Sequence, residues 1–140
     1  MYRLLSVAFF AFFLVSAPVV AGSVNDSDDQ TRIARDMVKA LQAYAVYKMG
    51  QYDEAFERYC ELAERGNSQG ILNVANMYAA GLGTAQDLEK AFEWYMTAAE
   101  KGDVIGMEAV ADAYREGQGV AQSSSKADDW LARAQAARQK

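Results

Sequence analysis

Hydrophobic and polar residues alternate along the chain in three distinct ways. Residues Leu4 to Val15 form an apolar run after Arg3, with Pro18 and then Val19-Val20-Ala21 behind it. A positive start, a short apolar stretch and small residues at its end are the order of a cleavable secretory signal. This predicts a signal peptide over 1–21, cut between Ala21 and Gly22. A membrane anchor is the competing reading, because a spanning helix needs roughly 20 apolar residues. Residues 22–29 (GSVNDSDD) are polar and acidic without periodicity, so a flexible acidic spacer is expected there. From Gln30 onward apolar residues recur at three- and four-residue intervals, and nothing alternates with the period of a strand.

The helical part repeats itself. Residues 70–102 set against 106–138, an offset of 36, give 12 identities in 33 positions. They include Gly70 with Gly106, Tyr78 with Tyr114, Gly81 and Gly83 with Gly117 and Gly119, Lys90-Ala91 with Lys126-Ala127, and Trp94 with Trp130. Ala85-Gln86 also returns as Ala121-Gln122. An earlier copy shares the offset from Ala55 and Phe56 through Gly66. Upstream the first copy is five residues shorter, since Tyr47 precedes Ala55 by 8 residues and Tyr78 precedes Ala91 by 13.

Each copy reads as two helices. In the second, Ser68 to Ala80 is followed by the Gly81-Leu82-Gly83 turn, where glycine permits positive φ. Asp87 is placed to cap the next helix, which ends near Lys101 before Gly102. The first copy is expected over about Gln30–Met49 and Tyr52–Arg65, and the third over Asp103–Glu116 and Ser124–Gln139. Val74, Ala75, Met77 and Tyr78 form the apolar side of one helix; Ala91, Trp94, Tyr95 and Ala98 form that of its partner. One hairpin cannot bury both faces, but stacked hairpins can. The expected fold is therefore all-α. It is an α/α superhelical solenoid of about three helix-turn-helix repeats, near 30–66, 67–102 and 103–139, within a domain at 30–140.

These residues resemble the Sel-one-like repeat family, a relative of the tetratricopeptide repeat. The second copy carries Met77-Tyr78, Gly81-x-Gly83, Asp87, Lys90-Ala91, Trp94-Tyr95, Ala98-Ala99 and Gly102. The third keeps Tyr114, Gly117-x-Gly119-Val120, Lys126-Ala127, Trp130 and Ala134. Gly50-Gln51-Tyr52-Asp53-Glu54-Ala55 in the first is closer to a tetratricopeptide turn. Departures are Ala75 and Ala111 where the family favours Gly, and Thr84 where it favours Val. The resemblance implies a superhelix used for protein–protein contact, with adaptor roles in assembly, secretion and the envelope. The paired cysteines of β-lactamase-like relatives are missing here.

Charge and chemistry narrow the function. From Gly22 onward all 19 acidic residues remain against 13 basic ones, a net charge of −6, and no basic tract exists. Nucleic acid is therefore not expected as a partner. There is no histidine, which removes the usual general base, the Ser-His triad and His-containing metal sites. Glu57, Glu61 and Glu64 share one helix face, and read as a solvated stripe beside Arg58 and Arg65 rather than as acid–base machinery. The equivalent positions of Trp94 and Trp130 point to packing, not ligand stacking. Cys60, the single cysteine, is expected to be a structural thiol, with an intermolecular disulfide as the alternative.

The reading is a non-catalytic, exported protein–protein interaction module without cofactor or metal, periplasmic or secreted. It touches a membrane only through the export signal. A cell-wall enzyme and a structural envelope subunit are the alternatives. If the first helix of each pair lines the concave side, the candidate partner contacts are Gln42, Asn73, Asn76, Glu108 and Asp112. Docking through the Ala-rich last helix, 132–137, is a second route, since that segment reads as lacking a polar solenoid end.

Overall fold

The computed structural model describes residues 24–139. Within them lie six helices: α1 (Val24–Lys48), α2 (Tyr52–Glu64), α3 (Ser68–Ala80), α4 (Leu88–Glu100), α5 (Val104–Glu116) and α6 (Ser124–Arg138). Each helix packs on its neighbours in the chain, so three hairpins stack into a helical solenoid. The expected signal peptide at 1–21, including the Ala21–Gly22 junction, falls outside the described residues.

Asp87 caps α4 as predicted, and α3, α5 and α6 start in the same way. Asn67, Asp87, Asp103 and Ser123 each accept a hydrogen bond from the backbone N–H three residues on. One expectation fails at the front of the domain. The segment expected to be a spacer is helical from Val24, and α1 runs 25 residues against 13 for α2 to α5. Asp28 and Asp29 lie near the N-terminus of this helix, where the macrodipole favours negative charge. Local side-chain bonds support the same turns: Thr31 Oγ1 donates to the Ser27 carbonyl at 2.8 Å, and Arg32 reaches Asp29 at 3.1 Å.

The repeated residues stitch one hairpin to the next. Phe56 on α2 meets Tyr78 on α3 edge-to-face at 5.2 Å, and Lys90 on α4 lies over the same ring at 5.4 Å. One period later Phe92 meets Tyr114 at 5.3 Å, with Lys126 over that ring at 5.1 Å. Gln86 and Gln122 donate from Nε2 to the carbonyls of Ala79 and Arg115, at 2.9 and 2.7 Å, and so satisfy the ends of α3 and α5. Gly70 and Gly106 sit where α3 and α5 cross α2 and α4. A Cβ on either would stand 2.6 Å from the Cβ of Leu62 or Ala98.

Two continuous cores result. The first holds Tyr59, Leu62, Ile71, Val74 and Met77, with Trp94 packed against it; the second holds Met107, Val110 and Tyr114, with Trp130 at its side. Both tryptophans are thus packing residues. At the far end of α1–α2, Asp36 is buried and forms an ion pair with Arg65 at 2.6 Å, without an aligned hydrogen bond.

Candidate partner-binding groove

Two adjoining depressions lie along the first helices of the hairpins. One, of about 200 Å³, lies between α1 and α3 and is lined by Tyr44, Tyr47, Asn73, Asn76, Met77, Ala80 and Leu82. The next, of about 170 Å³, is lined by Ala79 of α3, by Leu88, Phe92 and Tyr95 of α4, and by Ala109, Asp112 and Ala113 of α5. Asn76 and Asp112 occupy the same place in successive repeats, one in each depression.

The amides at the first depression are oriented by their neighbours. Asn73 Nδ2 donates to the Gln69 carbonyl at 2.8 Å. The Tyr95 hydroxyl donates to Asn76 Oδ1 at 2.6 Å, across from α4. Burial raises the Tyr95 pKa, which keeps this hydroxyl in its donating, neutral form. The surface is then left with an acceptor, Asn73 Oδ1, and a donor, Asn76 Nδ2. They sit three residues apart, about one helical turn, over the side chains of Tyr44, Tyr47 and Met77.

The five expected contacts do not converge. Asn73, Asn76 and Asp112 line the two depressions. Gln42 lies instead on another flank of α1, in a charged hollow with Lys39, Arg58 and Glu61. Glu108 is turned toward α6, where Arg138 holds it at 2.6 Å. The tyrosines of the groove, Tyr44 and Tyr47, were not among the expected contacts because they resemble core residues of α1. Tyr44 is in fact 51% exposed. A Tyr on the solvent side of an otherwise regular stripe is the signal that could have marked it.

The remaining chemistry sits away from the groove. Cys60 is a free, half-buried thiol packed against the first core. Burial, with smaller contributions from Glu64 and Glu57, pushes its pKa up, so the thiolate is disfavoured. Glu57, Glu61 and Glu64 are all exposed, and Glu61 pairs with Lys39 at 3.6 Å. Among the described residues no His, Cys, Asp and Glu side chains gather as a metal site, and no helix is long and apolar enough to cross a membrane.

The last helix differs from the sequence expectation. At the offset of 36, Phe56 and Phe92 become Asp128, while Ala63 and Ala99 become Gln135, both exposed. Polar residues thus replace the side chains that would enter a further repeat. The end read as lacking a polar cap carries one.

Comparison with known proteins follows the same periodicity. The family model for the Sel1 repeat matches residues 68–103 and 104–134. A protective antigen of uropathogenic Escherichia coli with an SLR fold superposes with a TM-score of 0.67 at 27% identity, over 75% of this chain and 23% of that one. A Sel1 repeat protein from Oxalobacter formigenes gives 0.66 at 25% identity, over 73% and 43%. This chain thus spans less than half the length of either. Cysteine-rich protein B of Helicobacter pylori, at 18% identity, shares the fold with a TM-score of 0.64 over 83% and 92% of the two chains. No curated protein sequence matches the chain. Sel1 repeat proteins are generally protein–protein interaction modules, typically non-catalytic scaffolds. Residues 68–134 are thus two Sel1 repeats, and with a third hairpin in register and the same solenoid the chain is similar to proteins of the Sel1-like repeat family.

Proposed function

We propose that this chain is an exported adaptor that holds a segment of a protein partner along α1, α3 and α5. The observation that carries the reading is the oriented pair at Asn73 and Asn76. An acceptor and a donor one turn apart complement the N–H and C=O of an extended peptide. Tyr44 and Tyr47 offer aromatic contact for its side chains, and Asp112 sets a carboxylate one repeat further on. The contact set is Asn73, Asn76 and Asp112; Gln42 and Glu108 serve as controls.

Export is supported by the order of residues 1–21, with a small-residue site at Ala21. The destination is the periplasm or the exterior, and a protein or peptide is the partner, with no nucleic acid. The Cys60 disulfide has weaker support, because its half-buried thiol has a raised pKa. Neither an enzyme nor a structural envelope subunit is favoured by a specific observation.

The test is crosslinking in the native envelope, with capture and identification of what is bound. One reproducible protein partner, lost on combining Asn76→Arg with Asp112→Arg and kept with Gln42→Arg, is expected. A partner indifferent to the double change, or enrichment of glycan fragments with no protein, would refute the groove reading. The intact mass of the released chain checks cleavage after Ala21.

A further inference from the structure

Apolar exposure is concentrated on one helix. Ile33, Met37, Leu41 and Tyr44 follow one another at intervals of four, four and three on α1, with Val38 beside them. All five are between 51 and 64% exposed. The stripe covers about 16 Å of helix. α2 is the one substantial helix neighbour of α1. A contiguous apolar surface of this kind marks an interaction site.

We propose that this face of α1 pairs with the same face of a second copy of the chain, the two helices antiparallel. The solenoid's own packing argues against the alternative, a head-to-tail stack of copies. Internal stacking needs a Phe that reaches the next Tyr and a glycine at the helix crossing, as at Phe56–Tyr78 with Gly70 and at Phe92–Tyr114 with Gly106. The outgoing end, α6, has Asp128 in place of that Phe. The incoming end, α1, has Lys39 in place of that glycine when Tyr47 is set on Tyr78, and Lys39 is engaged by Glu61. Neither end fits the other, so only an isologous contact lets copies meet through α1.

Charge sets the direction. Antiparallel pairing centred between Val38 and Lys39 sets Ile33 against Tyr44 and interleaves Met37 with Leu41. It also brings Asp29, already near Arg32 on its own helix, opposite Lys48 of the second copy, twice over. A parallel pair would set Asp29 on Asp29 and Lys48 on Lys48. The helix dipoles favour the antiparallel arrangement as well. Tyr44 is shared with the groove, but Asn76 and Asp112 take no part, so variants at those two positions test partner binding apart from this pairing.

The test is sedimentation equilibrium of the chain as its host releases it, under reducing conditions, from about 1 to 500 μM, a range set to catch a small interface. A monomer–dimer equilibrium is expected, abolished by Leu41→Arg with unchanged helical circular dichroism, and unaffected by Cys60→Ser or by Asn76→Arg with Asp112→Arg. Asp29→Lys and Lys48→Asp should each weaken the dimer about two- to tenfold, and their combination should restore it. A monomer throughout overturns the proposal. If that monomer retains residues 1–21, the apolar leader covers α1; if it floats with phosphatidylethanolamine–phosphatidylglycerol vesicles, a lipid surface does. A dimer indifferent to Leu41→Arg overturns it too, and a double charge swap no better than the single ones overturns the antiparallel register.

Discussion

Replacing Gly83 by alanine separates two costs that usually travel together. Gly83 has φ +68°, and an added Cβ would stand 2.6 Å from the carbonyl carbon of Tyr52, closer still to its oxygen. Gly119 repeats the arrangement against Leu88. The neighbours are backbone at the start of α2 and α4, so they cannot swing aside as a side-chain tip would. Gly50 has φ +78° and Gly102 φ +87°, with nothing within 4 Å of an added Cβ. At those two positions alanine meets only the left-handed backbone penalty, about 1–2 kcal/mol. At Gly83 and Gly119 it meets that penalty plus the strain of displacing packed backbone, about 1–3 kcal/mol more. For a domain of this size about 4 °C of Tm accompanies each kcal/mol. Thermal melts followed at 222 nm should therefore fall by about 4–8 °C for Gly50→Ala and Gly102→Ala, and by about 8–20 °C for Gly83→Ala and Gly119→Ala. Equal losses at all four sites would refute the view that these second turn glycines are fixed by contact with the preceding hairpin.

Three further outcomes follow from the same contacts. Phe92→Ala removes the ring that meets Tyr114, and should cost about 1.5–3 kcal/mol for a half-buried side chain. Amide exchange should then quicken in α5 and α6 more than in α2 and α3, and uniform quickening would contradict a nearest-neighbour solenoid. Tyr95→Phe should weaken partner binding several-fold with an unchanged helical spectrum, through loss of the hydroxyl that orients Asn76. Unaltered binding in titration calorimetry would remove Tyr95 from the site. Burial raises the pKa of Cys60 above its ordinary 9.0, and those of Tyr59 and Tyr95 above 10.0. Their folded forms hold the proton more tightly, so this stability is complete below pH 9 and is lost as pH rises from there through the folded values. Tm should fall on raising pH from 8 to 10.5, and less so in Cys60→Ala; an equal fall in both would remove the thiol from the cause.

Much of this architecture was legible because a repeat prints the same physical requirement more than once. The turn glycines, the Phe–Tyr–Lys set and the caps recur at a fixed offset, and each of these has a contact behind it. Even the Gln86 and Gln122 pair, without evident purpose in the sequence, closes the ends of α3 and α5. What recurrence could not reveal lies where the series stops. The start of α1 has no second copy to compare with, so an acidic stretch read as a spacer turned out to be helix. Gln42 was grouped with Asn73 as a polar residue of a first helix, yet among the described residues no helix lies before α1 to build the same groove beside it.

The two ends of the solenoid therefore carry information that its middle does not. Inside, a residue at a given repeat position answers to the neighbour that every repeat supplies. At an end that neighbour is missing, and the residue there answers to whatever replaces it. At α6 the replacement is water: Asp128 and Gln135 stand where Phe and Ala pack elsewhere. At α1 the shortened loop after Gly50 lacks the second turn glycine, which in the later copies contacts the helix before it. Yet α1 did not acquire the polar surface of α6. An end released from stacking and still apolar is under a different constraint from one that faces solvent. That contrast, more than the exposure of any single side chain, sets α1 apart as a surface with a partner.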